Sequence, residues 1–208
     1  MQNVRMEIRG YQPDDRDDCY DVCVKTGLAG ADATGLYSDD RLIPDIFCGP
    51  YLDLEPVCAF VVDDGERVVG YCFAAENTRD FVERYAREVL PKFILRHASS
   101  SIGADADGAQ REMTGLGLHP ERLLIPEVDA YPAHLHIDLL PSAQGQGLGR
   151  GLIDALLDEL TARGVPGVHL EMDGANSGAG AFYARLGFSR LDSSDDDSVR
   201  FGMHLPRS

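Results

Sequence analysis

The residues Gln144-Gly145-Gln146-Gly147-Leu148-Gly149-Arg150-Gly151 follow an apolar run, 135–140, and open a second run of helical periodicity, 152–162. A strand, a glycine-rich turn and a helix in that order make an anion site. Glycines let the main chain approach a ligand closely, and the first helical turn offers N–H groups that lack an intrahelical partner. Two phosphate-binding patterns do not fit. A P-loop requires Lys and then Ser or Thr after its last glycine, and Arg150 and Gly151 stand there. The dinucleotide fingerprint would put its third glycine where Arg150 stands. Glu171 does lie at the distance of that fingerprint's ribose-binding acid, but too little chain follows the turn to complete such a domain.

The pattern Gln-x-x-Gly-x-Gly does fit, as Gln144, Gly147 and Gly149. Downstream stands a second block, Asn176 and then Ala181-Phe182-Tyr183-Ala184-Arg185-Leu186-Gly187-Phe188. In order and spacing the two blocks resemble the GNAT superfamily of N-acetyltransferases. The resemblance covers most of the chain, and least of all residues 95–132. The stretch Gly30-Ala31-Asp32-Ala33-Thr34-Gly35-Leu36-Tyr37, with His134-Leu135-His136-Ile137-Asp138-Leu139-Leu140-Pro141, resembles a bacterial GNAT subgroup. That subgroup is related to the acetyltransferase-like C-terminal module of O-GlcNAcase.

The resemblance implies an α/β (α+β) GNAT fold: a mixed central sheet, helices on both faces, and splayed central strands holding acetyl-CoA. By position it assigns the pyrophosphate to main-chain N–H groups of Gly145, Gln146, Gly147, Leu148, Gly149 and Arg150, beside Gln144. The pantetheine amides fall to the main chain of Ile137, Asp138 and Leu139, with Leu140, Asn176 and Tyr183 completing the cofactor contacts. Tyr183 matches the family tyrosine that protonates the leaving thiolate. The N–H of Leu139 is the candidate to polarise the thioester carbonyl.

Composition bounds the rest. The chain has 208 residues, 44% of them hydrophobic, which suits one domain over 1–208 with an expanded helical and loop segment at 78–132. Nineteen basic against 35 acidic residues give a net charge of −16, which argues against nucleic acid as a partner. No apolar run is long enough to span a bilayer, and the first ten residues hold no signal-like core, so a cytoplasmic protein is expected. Five cysteines, all in the first third, read as buried thiols. Cys19 and Cys23 share a helix face, but their spacing shows no further ligand, and no metal is expected. The expected partners are acetyl-CoA and an amine, with a homodimer as the candidate assembly.

Periodicity predicts strands at 4–11, 57–62 and 67–75, the last two joined by a turn at Asp64-Gly65. Helices are expected from Pro13 to about Gly27, over 41–48, and over 78–96 with a break or kink at Pro91. Residues 99–110 read as a mobile loop, and 116–131 as short helices only. A strand at 134–140, a helix at 149–162, a strand at 168–172, a helix at 180–186 and a closing hairpin, 188–191 with 199–205, complete the order.

One feature of the 134–140 strand is unusual. Alternation puts His134, His136 and Asp138 on one face and Leu135, Ile137 and Leu139 on the other. A central strand of such a sheet should be apolar on both faces. Three titratable groups on one face imply a wet cleft in which one of them deprotonates an amine. Some GNAT enzymes that acetylate arylalkylamines carry His-x-His on this strand, in a register that differs by one residue. Candidate acceptor residues are Asp32, Thr34, Tyr37 and Asp39 of the early loop, and Glu76. Two functions are open: an N-acetyltransferase acting on a small amine or a protein lysine by direct attack, or an acetyl-CoA-binding module without turnover.

Overall fold

The computed structural model describes residues 6–98, 108–174, 176–195 and 198–206. Seven strands form one sheet: β1 (Glu7–Gly10), β2 (Ala59–Asp63), β3 (Val68–Ala75), β4 (Ala133–Leu139), β5 (Gly167–Asp173), β6 (Ser189–Arg190) and β7 (Ser198–His204). Their order is β1-β2-β3-β4-β5-β7-β6, and only β4 and β5 are parallel. A parallel pair needs a crossover, and the helix after the glycine turn supplies it. That crossover helix, Leu148–Ala162, buries Leu152, Ile153, Leu156 and Leu160 against one sheet face. Truncating one of these to alanine is expected to cost about 2–5 kcal/mol.

The parallel pair is short. β4 and β5 meet only at Ala133–Val168 and His134–His169, although each continues for several residues. Beyond that point the strands diverge into a V, as the resemblance implied. On the opposite face, α1 (Arg16–Thr26), α2 (Leu42–Phe47) and α3 (Gly49–Leu54) pack over Val61, Tyr71 and Phe73. The sheet is therefore mixed, with helices on both faces.

Several sequence expectations need correction. The helix expected over 41–48 is α2, and a second helix that was not expected, α3, follows it directly, the two meeting at Cys48. At Pro91, where a break or kink is expected, the helix does not break but is distorted: it runs from Thr78 to Ala98, widening into π turns at Tyr85–Val89 and Ile94–Ala98 on either side of the proline. Wider turns absorb the missing N–H. Of the stretch expected to be mobile, 99–107 lies outside the described residues, and from Gly108 the chain is helical to Leu118. Three glycines hid that helix from a propensity argument. Tertiary packing overrides them: the Phe93 ring lies so close to Gly117 that an added Cβ would sit 2.2 Å from it. The five cysteines are free and buried. Among the described residues no helix is long and apolar enough to cross a membrane.

Candidate active site

The donor side of the V begins at the glycine turn. Gly147 is the N-cap of the crossover helix with φ 82°, a left-handed conformation that strains residues with a side chain, and no side chain caps that end. The first intrahelical bond of the turn runs from Gly151 N–H to Gly147 O. The N–H groups just before it are those that a helix start leaves for an anion. The Gln144 amide donates to Leu139 O at 2.9 Å and ties the turn to the end of β4. A chamber of about 660 Å³ opens here, with Gly145, Gly147, Gly149, Arg150, Asn176 and Tyr183 in its lining.

Strand register decides which main-chain groups face this chamber. Leu140 N–H bonds Val69 O, so Leu140 and, by alternation, Asp138, His136 and His134 turn their main-chain groups toward β3. Leu135, Ile137 and Leu139 turn theirs toward the gap. Of the predicted edge, Ile137 and Leu139 keep their place, while the main chain of Asp138 and the N–H of Leu140 belong to the sheet.

At the point of the V a junction chamber of about 220 Å³ joins donor and acceptor sides. It shares Ile137, Asp138, Asn176 and Tyr183 with the donor chamber. Tyr183 is 8% exposed, and burial raises its pKa, which keeps the phenol protonated and able to donate. Asn176 caps the helix Ser177–Leu186, its Oδ1 accepting from Ala179 N–H at 3.2 Å. Across the junction, Asp138 Oδ2 accepts the Tyr71 hydroxyl proton at 2.8 Å and lies 3.1 Å from His136 Nε2. A carboxylate at that nitrogen favours Nε2–H and leaves Nδ1 as the basic atom. Both side chains are partly open, at 28% for His136 and 23% for Asp138. The Cys23 thiol, raised well above its usual pKa by burial, joins the same group. Ligand-type atoms of Cys23, His136 and Asp138 lie within 4.8 Å of one another. Helix spacing alone showed Cys23 only beside Cys19, because its neighbours come from a strand more than a hundred residues later.

The acceptor side is a third chamber, about 550 Å³, sharing Phe47, His136 and Leu170 with the junction. Phe47 stacks on His136 with ring centroids 5.8 Å apart. Tyr51, fully enclosed, stacks on the same histidine and meets His134 edge-on. His134 does not sit in a wet cleft: it is 4% exposed, and burial holds its pKa well below the ordinary histidine value. The polar face of β4 is thus wet at its open end and dry at its closed end.

Not every predicted residue reaches these chambers. Asp32 and Thr34 bond each other in a local turn, with Thr34 N–H and hydroxyl both donating to Asp32 Oδ1. Tyr37 packs on the buried Leu42 and Phe93 cluster. Neither they nor Asp39 line the V, where the early loop contributes Gly27, Ala29 and Gly30. Glu76 pairs with Arg163 at 2.7 Å in a separate hollow of about 720 Å³, which contains no residue of β4. Leu140, Gln146 and Leu148 are outside the donor lining, and the Gln146 amide is bound to Ser142 O. Arg122, His169 and Phe47 line the acceptor chamber and carry no sequence signal, since each is isolated in its own segment.

A model of the Acetyltransferase (GNAT) family matches residues 30–188. Protein O-GlcNAcase of Rattus norvegicus is 23% identical over 205 residues, covering 95% of this chain and 22% of that protein, so the chain spans well under a third of that relative. Mycothiol acetyltransferase of Beutenbergia cavernae is 53% identical over 49 residues, 24% of this chain and 16% of that protein. Among solved structures, SsHAT superposes with a TM-score of 0.90 at 42% identity, covering 97% of this chain and 99% of that one.

Proposed function

The chain belongs to the GNAT acetyltransferase family, and on that premise we propose that it transfers an acetyl group from acetyl-CoA directly to an amine. The observation that carries this reading is a row of three chambers along the V that share lining residues, with a phenol in the donor chamber and a histidine–carboxylate pair in the junction beside it. The pyrophosphate binds the helix start and Arg150. Pantetheine pairs with the gap-facing main chain of Ile137 and Leu139, which otherwise would leave strand donors unpaired. Of these two, only Ile137 lines the junction, so its N–H, rather than that of Leu139, polarises the thioester carbonyl.

The chemistry then needs one proton moved. His136, oriented by Asp138, which Tyr71 holds in turn, takes the proton that the amine nitrogen sheds as it bonds the carbonyl carbon. The tetrahedral oxyanion collapses, the C–S bond breaks, and the thiolate takes a proton from Tyr183. Burial keeps that phenol protonated until the sulfur needs it. His134 takes no part as a base, because a ring whose charged form is so disfavoured cannot hold the proton.

The test is acceptor-dependent thiol release from acetyl-CoA across a panel of amines, beside calorimetry of acetyl-CoA binding. Turnover is expected, and Asp138→Asn should lower kcat by roughly 10²-fold with acetyl-CoA affinity unchanged. Tight acetyl-CoA binding with no amine accelerating release would replace this reading by that of a binding module.

A further inference from the structure

Among the described residues, two buried polar atoms on the lining of the acceptor chamber have no hydrogen-bond partner, Ser198 Oγ and His134 Nε2, and the histidine stands beside the reacting pair. His134 Nδ1 lies 2.9 Å from Thr78 Oγ1, and the Thr78 hydroxyl donates its single proton to Pro132 O at 2.7 Å. With the Thr78 hydroxyl proton on Pro132 O, the ring contact is assigned as Nδ1–H donating to Thr78, which leaves Nε2 with a bare lone pair. Nε2 is buried and, among the described residues, has no hydrogen-bond partner. A buried acceptor left without a donor is destabilising, and a ligand that supplies the donor relieves that cost. The residue lines the acceptor chamber.

A second group in the same chamber lacks a counter-ion. The Arg122 guanidinium carbon lies 5.2 Å from the Phe47 ring centroid, and Nε donates to Leu116 O at 3.0 Å. Among the described residues no carboxylate pairs with it. In a chain of net charge −16, a half-buried guanidinium without a carboxylate is informative. The chamber's own acids are otherwise placed. Glu171 is paired with Arg200 at 2.7 Å, and Asp173 ends β5 on the open side, four residues beyond His169. Arg122 is thus the cation of this chamber that no carboxylate neutralises among the described residues, since Arg200 is paired with Glu171.

We propose that the acceptor is a small amine that also carries an anionic group and a hydrogen-bond donor. Its anion pairs with Arg122, its N–H or O–H donates to His134 Nε2, and its amino group reaches the His136–Asp138 pair. His134 and His136 are two residues apart on one strand face, so donor and reacting nitrogen are separated by roughly 7 Å. The pattern is that of an amino acid or a short peptide, and it disfavours a simple alkylamine or a polyamine. The proposal rests on the N-acetyltransferase reading for its chemistry, but its recognition site can be measured without turnover.

The experiment compares matched pairs on acetyl-CoA-loaded protein: lysine against cadaverine and glycylglycine against its amide for carboxylate, phosphoethanolamine against ethanolamine for phosphate. Thiol release gives kcat and KM; calorimetry with CoA-loaded protein gives affinity where no turnover occurs. The anionic member of at least one series is expected to win by more than tenfold. Arg122→Gln should abolish that preference through KM and Arg122→Lys should restore part of it. His134→Gln should raise KM several-fold and leave the pH profile in place, whereas a base would shift it. Equal handling of both members by the wild type, or a preference that survives Arg122→Gln, overturns the proposal. Selective binding without thiol release would overturn the transferase reading and leave this site standing.

Discussion

The two sides of the V are built from different material. The donor chamber is mostly main chain: a glycine turn, the start of one helix and the gap-facing edge of β4, nearly all of it within residues 137–186. The acceptor chamber is made of side chains from α2, α3, the 116–125 segment, β4, β5 and β7. Main-chain recognition needs a particular backbone path, and a short run of residues can dictate one. Side-chain recognition needs several remote segments to arrive together. The first is shared across a family of enzymes with one cofactor, and the second can change with the substrate.

This contrast can be broken by experiment. The largest effect is expected at the junction. Tyr183→Phe should lower kcat about 10²-fold or more while acetyl-CoA affinity stays nearly constant. Steady-state kinetics beside calorimetry checks it, and an unchanged kcat would remove Tyr183 from the chemistry. Next comes the donor side alone. Gly147→Val puts a β-branched side chain at φ 82° and crowds the anion site. Acetyl-CoA affinity should fall at least about tenfold, or some 1.4 kcal/mol. If Arg122→Gln weakened acetyl-CoA to the same degree, the two sides would not be separable.

The smallest effect concerns stability and pH. Burial lowers the pKa values of His134 and His169 in the folded state, so the unfolded chain binds protons that the native one refuses. Their contribution is therefore intact above about pH 6.5 and is lost as pH falls below it, by at most about 1.4 kcal/mol per pH unit for each ring. Arg9 lowers the pKa of Asp15, and at Asp45 burial would raise it but hydrogen bonds from His97 and Arg96 outweigh burial and lower it, so both act only as pH falls below the ordinary carboxylate range. Thermal melts between pH 7.5 and 5 should show the fall, and His134→Gln should flatten part of it. A melt curve independent of pH over that interval would contradict the dry setting of His134.

The donor half was legible because its signals are local. Gly147 and Gly149 report a backbone path in a few residues, whereas the helix expected from 180 starts at Ser177, where Asn176 caps it. The helix over 108–118 was not legible, because Gly115 and Gly117 oppose it and only Phe93, in another helix, makes Gly117 an asset. The same holds for Asp32 and Thr34, which look like acceptor ligands in sequence and are spent on each other.

The chain's order of residues determined the strand–turn–helix unit, the polar face of β4 and the mixed sheet that carries them, since period and glycine placement act over a few residues. Tertiary structure alone decided which histidine of that face is wet and which is dry. His134 lies where β4 still pairs with β5 and is nearly enclosed, with Tyr51 and Phe81 meeting its ring edge-on, while His136 lies where the strands have parted. Solvent access depends on what packs against a side chain, and in this protein those partners come from α3 and the helix that starts at Thr78.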